Sequence, residues 1–134
     1  MNVVDSSGWL EYFGDGPNAA FFAGPLAKAE ELIVPAISVF EVFRRVLQQR
    51  DEASALQAAA LMQQGRAVAL DPALAIAAAK LSFELKLPMA ASIILATARQ
   101  FNAVLWTQDA DSENLPGVRE HRSFDRPQQR PSEP

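Results

Sequence analysis

Apolar residues along this chain occur in two alternating textures. Runs of two to four, each ended by a turn residue, predict short buried strands. Longer segments with apolar positions three and four apart predict amphipathic helices. Asn2-Val3-Val4 reads as a brief strand that Asp5-Ser6-Ser7-Gly8 turns into a helix over Trp9 to Phe13. Gly14-Asp15-Gly16-Pro17-Asn18 is a loop. Ala19 to Glu31 is helical, with Phe22, Leu26 and Ala29 on one face, and Leu32-Ile33-Val34 is a second strand closed by Pro35. Ser38 to Arg50 carries Val39, Val42, Phe43, Val46 and Leu47 at helical spacing, and Asp51 to Gln64 is an Ala- and Gln-rich helix ended by Gly65. Ala67 to Leu70 is a third strand. Asp71-Pro72 then combines an N-cap with Pro at the first helical position, starting a helix that runs to about Leu85. Pro88 introduces another, to about Phe101. Val104-Leu105-Trp106 is a fourth strand, and a weak fifth lies near Glu120 to Phe124. Short apolar strands alternating with helices predict an α/β fold with a parallel sheet covered on both faces.

Composition narrows this picture. The chain has 134 residues, one domain by size, with 49% hydrophobic and 21% charged residues, as in soluble globular proteins. It has no cysteine, which excludes disulfides and thiolate metal sites and fits a cytoplasmic location. MNVVDSSGWLEYF lacks a basic n-region and is not expected to be a signal peptide. No apolar run approaches the ~18 residues of a membrane helix. After Asp125 the Pro- and Gln-rich RPQQRPSEP is expected to be a disordered tail, leaving residues 1–124 as the domain. The net charge of −4 argues against a generic basic nucleic-acid binder. It is compatible with an enzyme that meets phosphates through cations held by carboxylates.

In an open parallel sheet, ligands bind beyond the carboxyl ends of the strands. Asp5 follows the first strand, Asp109 follows the fourth after two residues, and Glu41 lies early in the helix after the second. All three belong at one sheet edge, where hard oxygen donors suit Mg²⁺ or Mn²⁺. Each also has a structural reading. Ser38-Val39-Phe40-Glu41 fits a capping box, and Asp5 and Asp109 fit N-caps or turn formers. Asp111 is either an outer acid of the same site or a solvated turn residue. Ser6 and Thr107 either hydrogen-bond the carboxylates or form local turns. Arg44 stands three residues after Glu41 and can pair with it. With Arg45 it forms either a solvated face or a contact to phosphate or to a partner protein. His121, the one histidine, lies away from these acids, and neither a G-x-S-x-G elbow nor a phosphate-cradling glycine loop is present.

Together VVDSS, SVFEVFRR, LPMAASIILATAR and WTQDAD, in this order, resemble the PIN-domain family, and within it the VapC-type toxins of bacterial toxin–antitoxin pairs. The resemblance spans Asn2 to about Phe124. It implies a three-layer α/β/α sandwich with a central parallel sheet of four to five strands. It also implies a Mg²⁺- or Mn²⁺-dependent endoribonuclease that cuts RNA and is silenced by a cognate antitoxin. A homodimer, or a higher toxin–antitoxin oligomer, is part of the same implication. Carried over by position, the family's acids are Asp5, Glu41 and Asp109, with Asp111 as a further acid and Ser6, Thr107 and Ser92 as supporting hydroxyls. The remaining acid opens the helix in the family pattern, and its place is taken here by Ala91 between intact flanks. Ser112 stands where an aromatic is usual. Two origins account for Ala91: deliberate inactivation of a harmful toxin, which the intact flanks favour, and a natural pseudo-nuclease. The implied function is a toxin ribonuclease with strongly reduced activity. Its rivals are a non-catalytic module that binds antitoxin or RNA, and a nuclease of this fold acting in RNA processing.

Overall fold

The computed structural model describes residues 1–108, Leu115 and residues 117–120. Its strands are β1 (Asn2–Val4), β2 (Ile33–Pro35), β3 (Arg66–Val68), β4 (Val104–Thr107) and β5 (Val118–Glu120). Its α-helices are α1 (Ser6–Phe13), α2 (Ala19–Leu26), α3 (Ala36–Gln49), α4 (Glu52–Met62), α5 (Pro72–Leu85) and α6 (Met89–Gln100). Every strand pairing is parallel. β4 lies between β1 and β5, with Val3 opposite Leu105, and β2 pairs β3, with Val34 opposite Ala67. A single bridge, Asn2 to Leu32, joins the two groups. The strand order is therefore β3-β2-β1-β4-β5. The chain moves outward from β1 to β3 and then crosses to the other side for β4, so the order reverses between β1 and β4.

The three layers follow from side-chain alternation along the strands. Val4 and Val34 face a core built with Trp9, Phe22, Val42 and Met62, from α1, α2, α3 and α4. Their neighbours Val3 and Ile33, with Leu105, face Ile94, Leu95 and Ala98 of α6. α5 packs outside α6 through Leu74 and Ala78. Strands covered on both faces have no polar side to show, which is why they read as continuous apolar runs.

Most elements lie where the sequence pattern places them, and the differences have local causes. α1 begins at Ser6, directly after the strand, because Asp5 accepts a hydrogen bond from the Gly8 amide at 2.8 Å and caps the helix. The expected Ala19–Glu31 helix stops at Leu26, one residue after Pro25, which offers no N–H; a separate 3-10 turn covers Ala29–Glu31. β3 starts a residue early, at Arg66, whose amide bonds the Leu32 carbonyl at 2.8 Å. Gly65 permits that approach, since a Cβ there would stand 2.9 Å from the same carbonyl oxygen. β5 is launched by Gly117 at φ +79° and begins two residues before the expected strand; residues 121–124 lie outside the described residues, as do His121, Ser112 and the 125–134 tail. Asp71 caps α5 through the Leu74 amide at 2.8 Å, with Pro72 next to it, as the sequence predicts. Among the described residues no single helix is long and apolar enough to cross a membrane.

Two predictions arise from these local contacts. Asp51 caps α4 by accepting from the Ser54 amide at 2.7 Å. That bond, then one from the Ser54 side chain and the nearby Arg50 charge, hold its carboxyl below the ordinary value of 3.8. A carboxyl lowered in the folded state stabilises above its unfolded value and loses that contribution as pH falls through the folded one. Asp51→Ala is therefore expected to lower the melting temperature at pH 7, with the gap to the parent closing in acid below 3.8. A gap that widens in acid counts against this assignment. The second concerns Gly8, where a Cβ would stand 2.6 Å from the Phe22 ring and 2.7 Å from Val4, both fully buried. Overpacking costs about 1–3 kcal/mol, against about 1 kcal/mol gained by replacing Gly inside a helix. Gly8→Ala is expected to come out net destabilising in urea melts; a more stable variant would show that the ring yields.

Candidate functional site

The strand order reverses between β1 and β4, and in parallel sheets a crevice opens beyond the strand ends at such a point. Here the crevice is a cleft of about 520 Å³. Asp5 and Ser6 line it from the end of β1 and the start of α1, Glu41 from α3, and Ala90 and Ala91 from the first turn of α6.

Asp5 is buried and held from three sides. Its Oδ1 accepts from the Gly8 amide at 2.8 Å and the Ser7 hydroxyl at 3.0 Å, and the Thr107 hydroxyl at the end of β4 donates to Oδ2. The N-cap reading of Asp5 therefore holds, and the same carboxylate borders the cleft. Hydroxyls and amides that fix a carboxylate's orientation are what a cation ligand requires.

Glu41 is not a cap. α3 begins at Ala36 behind Pro35, so Ser38 sits within the first turn rather than before it, and its hydroxyl is buried with no hydrogen-bond partner among the described residues. The capping-box pattern is out of phase with the helix. Freed from that role, Glu41 reaches across to α1, where the Ser6 hydroxyl donates to Oε1 at 2.6 Å. The expected pairing of Arg44 with Glu41 does not form. Neither arginine has an ion pair among the described residues, and both line the cleft. Sequence reasoning also missed Phe40, which lines the cleft while 62% exposed. Its signal was its absence from the apolar stripe of α3.

α6 starts behind Pro88 with no side-chain cap and no acid in its first turn. Burial holds it instead, since Ser92 to Ala98 are all buried. Ser92 spends its hydroxyl on the Met89 carbonyl at 2.7 Å and does not line the cleft. The structure thus gathers Asp5, Ser6, Glu41 and position 91 at one cleft, with Thr107 behind Asp5, and leaves Ser92 out. Asp109 and Asp111 lie outside the described residues. Among the described residues no group of three acids or histidines comes close enough to share a cation. Asp5 and Glu41 nonetheless fit a hard divalent ion, because Mg²⁺ commonly takes one or two carboxylates and keeps several waters.

The family profile of the PIN domain matches residues 3–118. Comparison with curated proteins by sequence gives no match. Among solved structures, a toxin–antitoxin complex from Klebsiella pneumoniae superimposes with a TM-score of 0.76 at 22% identity, covering 92% of this chain and 100% of that one. VapC20 of Mycobacterium tuberculosis, a toxin that cleaves the sarcin–ricin loop, gives 0.69 at 14% identity over 83% of this chain and 92% of that one. VapBC2 of Rickettsia felis, bound to a DNA fragment from its promoter, gives 0.68 at 12% identity over 90% and 97%. At these identities the likeness is one of fold.

Proposed function

This chain belongs to the PIN domain family, and on that footing we propose that it is the toxin of a toxin–antitoxin pair: a divalent-metal-dependent endoribonuclease, held nearly inactive by Ala91. The observation that carries the reading is the cleft at the strand-order reversal, where Asp5, Glu41 and position 91 come to one place from three distant parts of the chain. The fold shared with toxin–antitoxin structures supports the biological setting.

Asp5 and Glu41 would hold Mg²⁺ or Mn²⁺, joined by Asp109 and, further out, Asp111. When bound, such an ion supplies Lewis acidity, activating water and neutralising charge on the phosphodiester. The chain's own residues do the arranging. Thr107, Ser7 and the Gly8 amide fix Asp5, and Ser6 fixes Glu41. Ala91 leaves the α6 side of the cleft without a carboxylate. The antitoxin would close the cleft by placing an Arg or Lys among the acids, since a cation there forms charge-assisted hydrogen bonds. The toxin acts as a homodimer in the cytoplasm.

The test is cleavage of a panel of structured RNAs in Mn²⁺ by this chain and by Ala91→Asp. Recovery of cutting in the second supports the reading; equal cutting by both removes the role given to position 91. One observation favours a second reading. With Ala91 in the cleft, the chain would serve as a non-catalytic module that sequesters antitoxin or RNA, and an Ala91→Asp protein that binds but does not cut would select it.

A further inference from the structure

The outer rim of the cleft on α3 has a composition that the chemistry of its floor does not explain. Phe40 is 62% exposed, lies off the apolar stripe that packs into the core, and belongs to none of the buried clusters. Arg44 follows it by four residues, which places the two side chains on the same helix face, and Arg45 is adjacent. Both arginines are exposed and line the cleft, without an ion pair among the described residues, in a chain whose net charge is −4. One large exposed aromatic and two cations beside a carboxylate floor add nothing to the buried cores and, among the described residues, no salt bridge.

We propose that Phe40, Arg44 and Arg45 form a docking face for single-stranded RNA, with Phe40 stacking an unpaired base and the arginines taking phosphates that flank the one lying over Asp5 and Glu41. An aromatic platform beside cations is the combination that holds single strands, because every base has a π-face and every linkage a negative charge. The floor repels phosphate and the rim attracts it, so affinity and chemistry are divided between neighbouring surfaces. An unstacked base is needed to meet Phe40, so the face selects single-stranded segments and loops over continuous duplex. The inference rests on the ribonuclease reading for its substrate class, and its test is separate.

The measurement is fluorescence anisotropy of a labelled single-stranded oligoribonucleotide with the chain as it stands, in Mg²⁺ buffer over a range of salt. Phe40→Ala is expected to weaken binding about tenfold without changing the salt dependence, and Phe40→Trp to restore it. Arg44→Gln and Arg45→Gln are each expected to reduce the slope of log affinity against log salt by about 0.7. With a fully paired RNA duplex, Phe40→Ala should have no effect. Binding that is absent in the parent, or unchanged in all three variants, overturns the proposal. So does a Phe40→Ala loss confined to a copurifying protein partner, which assigns the rim to that protein. If Ala91→Asp cuts RNA while the rim variants leave both binding and KM unchanged, the rim fails and the nuclease stands. If the rim binds RNA and Ala91→Asp does not cut, the reverse holds.

Discussion

Replacing Ala91 with aspartate is expected to raise divalent-dependent RNA cleavage by at least about 100-fold. Loss of even an outer partner of a metal site costs about 10–100-fold, and position 91 borders the cleft itself. The added carboxylate would stand in the first turn of α6, where the helix dipole favours negative charge. Without cations the balance runs the other way, because a further acid beside Asp5 and Glu41 adds like-charge repulsion. In chelator the Ala91 form is expected to melt at the same temperature as Ala91→Asp or above it, and the order should reverse as Mn²⁺ is added. A clearly lower melting temperature for the Ala91 form in chelator would show that the missing acid is a helix cap rather than a ligand.

The second large effect is expected at Asp5, tested in the Ala91→Asp background. Asp5 both caps α1 and borders the cleft, so two substitutions separate the roles. Asparagine caps as well as aspartate does, keeping an acceptor for the Gly8 amide, while the Thr107 hydroxyl can turn to accept from the new amide. It is a neutral and much poorer ligand for a hard cation. Asp5→Asn should therefore lose about 100-fold or more in cleavage while melting within a few degrees of its parent. Asp5→Ala should lose the same activity and about 1 kcal/mol of stability besides. If Asp5→Asn cleaves normally, Asp5 is a cap alone and the proposed site loses its first ligand.

The sequence revealed different parts of this molecule to different degrees. α5 and α6 were readable almost to the residue, because Asp71-Pro72 and Pro88 are local signals whose partners lie within one turn. Both buried strands of the sheet centre were readable as apolar runs. Glu41 was readable as a candidate and misread in its alternative role. Ser38-x-x-Glu41 has the spacing of a capping box, and only the backbone shows that Pro35 starts the helix earlier. The Ser6–Glu41 hydrogen bond joins residues 35 apart in sequence and has no local signal. The rim of Phe40, Arg44 and Arg45 acquires meaning only once α3 is seen beside the cleft. The flanks of Ala91 carry the expectation of an acid there, whereas no local signal shows that Arg44 stays without an ion pair among the described residues.

The single bridge between β1 and β2 bears on this site in a further way. Asp5 rides on one group of strands and the helix carrying Glu41 springs from the other, so a seam in the backbone ladder runs between the two carboxylates. Little of the sheet's hydrogen bonding fixes the gap across that seam. The Ser6 hydroxyl stitches it at the top, and the apolar cores close it from below. The relative placement of the two carboxylates thus depends on the packed cores and the Ser6–Glu41 hydrogen bond more than on the strand ladder.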